Sequence, residues 1–196
     1  MTPVALGFRV KSGYAIAVVV RGFPSAPEVV SRHVVQLSDP DVAATRQPYH
    51  HGFFTHEEDT GKIARLVKIV ERCAKRSVAA LVEEPRRAPR HGRFRAALVV
   101  GSVIDPKQVG NPHIRAHANE GRLFRTVLES ALRTHGIPCA VIVEKQLAEK
   151  AAKALPCPDS EIKRTLAAFG KTLGGSWRAE EKAASTAAWL ALGIKN

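Results

Sequence analysis

The sequence predicts an α/β domain built on a mixed five-stranded sheet flanked by helices. Two observations carry this. Three strand-like apolar runs come first, separated only by short turns, and after them apolar runs alternate with helical repeats. Strands joined by short turns pair antiparallel, whereas strands joined through helices pair in parallel by right-handed crossovers. With 196 residues, 45% of them hydrophobic and 24% charged, the chain suffices for one well-buried core. It reads as a single domain, 1–196.

The first two strands, 4–10 and 14–20, flank Lys11-Ser12-Gly13, the pattern of a tight hairpin. A third strand covers 28–37 and completes the antiparallel meander. Residues 38–56 are polar, with prolines and aromatics and little period, which predicts a long loop holding one short turn. From 57 to 75, Ile63, Leu66, Val67, Ile69 and Val70 recur at helical spacing, with Asp59 and Thr60 at the start and Arg72, Lys75 and Arg76 near the end. The continuous apolar run VAALV, 78–82, predicts a buried central strand ending in Glu83-Glu84-Pro85. A basic insert follows at 86–95. The period leaves 96–104 open between strand and helix turn. A helix over 113–135 stops at Gly136-Ile137-Pro138, a strand follows at Cys139–Val143, and 145–155 is a short Ala-rich helix. Asp159 or Ser160 caps a helix to Leu173, and Ala179–Leu192 is the final helix.

The charge narrows the classes of partner. Lys and Arg number 30 against 18 acids, a formal charge of +12 that favours polyanions such as nucleic acid or an anionic surface. Cys73, Cys139 and Cys157 are odd in number and widely spaced, so neither a disulfide framework nor a zinc knuckle is expected. No signal-peptide layout and no membrane-length apolar run are evident, so the expectation is a reduced, cytoplasmic protein with no membrane partner.

Several local patterns could carry chemistry. RRAPRHGRFR (86–95) packs five arginines into ten residues, broken by Pro89 and Gly92. It reads as a lobe whose Arg86, Arg87, Arg90 and Arg93 could contact phosphate and whose Phe94 could stack on a base. His113 and His117 share a helix face with Glu120 one turn on, a spacing able to bind a transition metal, although a third strong ligand is not evident. His50-His51 with His56 invites the same thought; a polar surface is the safer reading of either group. Trp189 sits among apolar neighbours and reads as core, while Trp177, before a run of charges, is the better stacking candidate. The small-residue face Ala183, Ala184, Ala187 and Ala191 permits close packing on a sheet or helix, and such faces also serve homodimers.

In their order along the chain these segments resemble the ribonuclease H-like fold, and within it the RuvC-type Holliday-junction resolvases. LGFRVKSGYAIAVV resembles the opening hairpin, VAALVEEP the fourth strand, NEGRLFRTVLESALRTHGIPCAVIVEKQLAEKAAKAL the next helix, strand and lysine-bearing segment, and EEKAASTAAWLAL the last helix. The resemblance implies hydrolysis of phosphodiesters by two Mg²⁺ or Mn²⁺ ions held by about four carboxylates. Here the first-strand aspartate falls on Arg9, the strand-four glutamate on Glu83 or Glu84, and the last-helix aspartates on Lys182 and Ser185, with Glu180 and Glu181 just upstream.

A permanently charged guanidinium at Arg9 would repel a divalent cation and could pair with Glu83 in its place. The expected function is therefore nucleic-acid binding by a nuclease relative without the usual metals, using Arg9, Lys11, Arg86, Arg87, Arg90, Arg93 and Phe94. The alternatives are a divergent Mg²⁺- or Mn²⁺-dependent endonuclease with Glu83, Glu84 and Glu181 as catalytic acids and Glu83 as the metal ligand, or a protein-binding scaffold.

Overall fold

The computed structural model describes residues 2–51, 55–87 and 91–194, and the side chains of all of these except 84–87 and 91. Strands β1 (Thr2–Lys11), β2 (Tyr14–Phe23) and β3 (Ala26–Gln36) form the antiparallel meander. Gly13 makes the first turn at φ 84°, a conformation that a side chain would strain. Then come α1 (Thr60–Arg87), β4 (His91–Val100), α2 (Pro112–Thr134), β5 (Cys139–Val143), α3 (Leu147–Ala154), α4 (Asp159–Leu173) and α5 (Ala179–Leu192). The sheet order is β3-β2-β1-β4-β5, with β4 parallel to both β1 and β5.

Alternation along β1 divides the core. Leu6, Phe8 and Val10 point to the side covered by α1 and α2, where Val70, Leu98, Phe124 and Leu128 meet them. Ala5 faces the other side with Val18, Val99 and Ile142, beneath Ala184, Ala188 and Trp189 of α5. Burying each large apolar side chain contributes about 1.5–3 kcal/mol. Gly7 is where α5 crosses β1. A Cβ there would stand 1.9 Å from the Ala184 carbonyl oxygen and 2.3 Å from the Ala188 amide nitrogen. The small-residue face of α5 is thus spent inside the chain, against the sheet. Trp189 is core as expected, and its Nε1–H donates to the Pro24 carbonyl at 2.8 Å. Trp177 is half-buried, its ring against Gly170.

The expected strand at 78–82 is instead helical. α1 begins where Asp59 Oδ1 accepts from the Lys62 amide at 2.8 Å, and it continues through Pro85. The reason lies in which residues of VAALV are buried. Val78, Leu81 and Val82 continue the inward face set by Leu66, Val70, Cys73 and Ala74, while Ala79 and Ala80 face solvent. Alanine is the best helix former, so an apolar run containing it keeps the 3.6 period at no cost. The fourth strand comes later, and the basic insert is not a free lobe. Arg86 and Arg87 end α1, Arg90 lies outside the described residues, and 91–95 pair with β1. Loop 38–56 does hold one short turn, the 3-10 turn Ala43–Arg46, and an antiparallel bridge joins His50 to His56. Among the described residues no helix is long and apolar enough to cross a membrane.

Candidate functional site

β1 and β4 run parallel, so both end at the same, carboxyl edge of the sheet. The chain leaves β4 through Gly101–Ile104, and α2 rises beside it. Between them lies a cleft of about 340 Å³. Its polar lining includes Arg9, Lys11, Ser102, His117, Arg122 and Arg125, with no carboxylate among the lining residues. Val103 and Ile104 stand half-exposed at the same place, an unusual position for large apolar side chains.

Arg9 is buried at 7% exposure. Its Nη2 donates to Glu144 Oε2 at 2.6 Å, just past the end of β5, and its Nη1 donates to the Val10 carbonyl at 3.0 Å. Lys11 reaches Glu180 at 3.2 Å, and the Tyr14 hydroxyl donates to the same carboxylate at 3.4 Å. Glu181 accepts from the Arg178 amide at 2.9 Å, closing the first turn of α5, and lies 3.7 Å from Arg32. Lys182 is exposed, and the buried Ser185 hydroxyl donates to the Glu181 carbonyl at 2.8 Å.

Magnesium and manganese require hard oxygen ligands, two or more of them carboxylates when two ions are clamped. The positions to which the resemblance assigns carboxylates hold Arg9, Lys182 and Ser185, and the fourth strand ends in Val100, followed by Gly101 and Ser102. Among the described residues, the carboxylates at this edge, Glu144, Glu180, Glu181 and Asp105, each face a cation. The residues present do not fit an acid-held pair of Mg²⁺ ions.

The structure corrects the placement of Glu83 and the partner expected for Arg9. Glu83 lies in the last turns of α1, which lead to His91 beside Thr2 at the amino edge of the sheet. About 20 Å of strand separates that edge from Arg9. Glu144, 135 residues from Arg9 in sequence, takes the place expected of Glu83. Glu84 belongs to the same turns of α1, away from the cleft. Arg93 is exposed on the first half of β4, also outside the cleft lining. Phe94 is half-buried against the core cluster of β1 and α1, outside the cleft lining. Of the residues singled out from sequence, Arg9, Lys11 and His117 meet in the cleft. Arg122 and Arg125 join them from α2, where their signal was no more than two cations on a helix.

A second polar group lies beside the cleft. His50 Nδ1 stands 2.7 Å from Glu120 Oε1, and the His113 and His117 Nε2 atoms are 3.2 Å apart. Glu120 is 1% exposed; burial raises its pKa, against the lowering effect of the His50 hydrogen bond. Burial, then the neighbouring His50 and His113, lower the pKa of His117. Nearby, Glu57 is held down to about 2, chiefly by its hydrogen bond from Lys62.

No family model and no curated protein matches the chain. Among solved structures it is similar to Thermus thermophilus RuvC, with a TM-score of 0.51 and 11% identity over 95% of this chain and 92% of that one. It is likewise similar to T. thermophilus RuvC in complex with a Holliday junction substrate, with a TM-score of 0.52 and 12% identity over 95% and 90%. At this identity the agreement is one of architecture: the fold is the ribonuclease H-like fold of RuvC.

Proposed function

We propose that the protein binds nucleic acid in the cleft at the carboxyl edge of its sheet, without cleaving it by the acid-held two-metal route. The observation that supports this most is the charge of the cleft. Arg9, Lys11, Arg122 and Arg125 line it, while their carboxylate partners Glu144, Glu180, Asp105 and Glu129 stand outside the lining, where that route needs several carboxylates within it. Arginine forks suit phosphate oxygens, and the exposed Val103 and Ile104 offer apolar surface to an unstacked base or a widened groove. T. thermophilus RuvC has been solved with a Holliday junction, so a four-way junction is the first ligand to try, beside duplex and single strands.

Fluorescence anisotropy across a salt series tests the reading. Each phosphate neutralised adds about −0.9 to the slope of log K against log salt. Arg122→Glu with Arg125→Glu should weaken binding on every substrate and flatten that slope by about 2. Association that ignores salt, or none at all, defeats the binding claim. Cleavage of the labelled junction with Mg²⁺ or Mn²⁺ that disappears in Glu144→Gln would overturn the second half and restore the endonuclease reading.

A further inference from the structure

The His50, His113 and His117 rings converge from two parts of the chain. His113 and His117 lie one turn apart on α2, and His50 comes from the loop before α1, pinned by its bridge to His56 and by the Glu57 amide bonding the Tyr49 carbonyl at 2.9 Å. One ring nitrogen from each lies within 4.8 Å of the other two. The His113–His117 separation of 3.2 Å is close to the edge of a zinc tetrahedron, about 3.4 Å for bonds of about 2.1 Å. Turning the exposed His117 ring and its neighbours about their side-chain torsions closes the remaining gap.

Two further observations point to a ligand. Glu120 is almost completely buried and bonds His50 at Nδ1, which leaves Nε2 as the nitrogen aimed at the other rings. That Nε2 is itself buried with no hydrogen-bond partner among the described residues. A buried polar atom left in this way is costly, and a carboxylate behind an imidazole is the usual support of a metal-ligating histidine. The arginines flanking this helix face are engaged elsewhere. Arg115 donates to the Val109 and Gly110 carbonyls, and Arg122 faces Asp105. The positive end of α2 disfavours a cation near His113, and the buried Glu120 carboxylate offsets it.

We propose that His50, His113 and His117 bind one borderline divalent transition ion, zinc in the first instance, supported by Glu120. Three imidazoles suit zinc and leave a fourth position for an exchangeable ligand. His117 also lines the cationic cleft, so that position opens toward it and would take water or an anionic oxygen. The site does not depend on the nucleic-acid reading and can stand if that reading fails.

The test uses the full chain without a polyhistidine tag, stripped with chelator and titrated with Zn²⁺ against a chromophoric competitor. One equivalent should bind, and zinc at 100 times its dissociation constant should lower the unfolded fraction about 100-fold. The double variant His113→Ala, His117→Ala should lose the equivalent while keeping its circular dichroism. Glu120→Gln should weaken binding by about 10–100-fold, and His51→Ala should leave it unchanged. The unaltered chain loaded with Co²⁺ gives a reading independent of any variant. Intense visible bands of a four-coordinate ion are expected, and the pale spectrum of six-coordinate aqueous cobalt would overturn the proposal. So would zinc binding that survives in the double histidine variant, or wild-type stoichiometry far below one.

Discussion

Arg9–Glu144 and His50–Glu120 are pairs of nearly equal length, 2.6 and 2.7 Å, in the same corner of the molecule, yet they do opposite things to a passing cation. Arginine has five donors and no lone pair, so its bond to Glu144 neutralises that carboxylate and adds no ligand for a cation. Histidine has two nitrogens. Bonding one to Glu120 frees the other as an acceptor and raises its basicity. A carboxylate therefore says little about metal binding until its partner is known. The three glutamates of the edge are paired with cations, whereas the one buried glutamate of the helix face stands behind an imidazole whose second nitrogen has no partner among the described residues.

The largest expected effect breaks the first region by unseating α5. Gly7→Val would drive a side chain into the Ala184 and Ala188 backbone and should cost more than about 3 kcal/mol by urea denaturation. A smaller loss would show that α5 slides without consequence for the edge it builds.

Next comes the pair itself. Glu144→Gln leaves Arg9 charged and 7% exposed without its counterion. Breaking a fully buried pair costs about 3–5 kcal/mol, but the Glu144 side chain is 51% exposed, so about 1–2 kcal/mol is expected. Arg9→Met, which removes the buried charge, should be neutral or stabilising by comparison. Equal losses in the two variants would mean that the pair contributes by packing rather than by compensating charge.

The third prediction concerns the loop that carries the histidines. Glu57, with a folded pKa of about 2 against 4.5 for an unperturbed carboxyl, contributes stability that is complete above 4.5 and lost as the pH falls toward 2. Its carboxyl resonance followed by NMR should titrate near 2, and Lys62→Met should return it toward the ordinary range. The smallest effect is at Cys139, whose thiol burial pushes up to about 12. It should resist alkylation at neutral pH until the chain unfolds. Ready labelling of native Cys139 would show that the β5 side of the sheet opens.

The meander, the order of the later elements and the limits of β5 and α5 were legible because each is a local pattern of period and stop signals. VAALV was not, since a run of five apolar residues satisfies both a buried strand and a helix. Only burial at 78, 81 and 82 decides between them. Arg9 stood out in the sequence as a cation where an acid is expected. Its partner did not, because Glu144 lies 135 residues away and nothing local marks it. The histidine site was half visible as the one-turn spacing of His113 and His117. His50 reaches Glu120 across 70 residues through a loop with no period, so the third ligand emerges only from the fold.

The contact at Gly7 bears on how fast and how cheaply the cleft can work. With helix backbone lying directly on strand backbone, the end of β1 and the first turn of α5 behave as one casting rather than as two jaws. Under the proposed function, Arg9 and Lys11 would meet a ligand already in position, so little ordering entropy would be spent on the protein side. A surface of this kind takes its ligands at the rate of encounter, set by charge and ionic strength, and not at the rate of a closing lid.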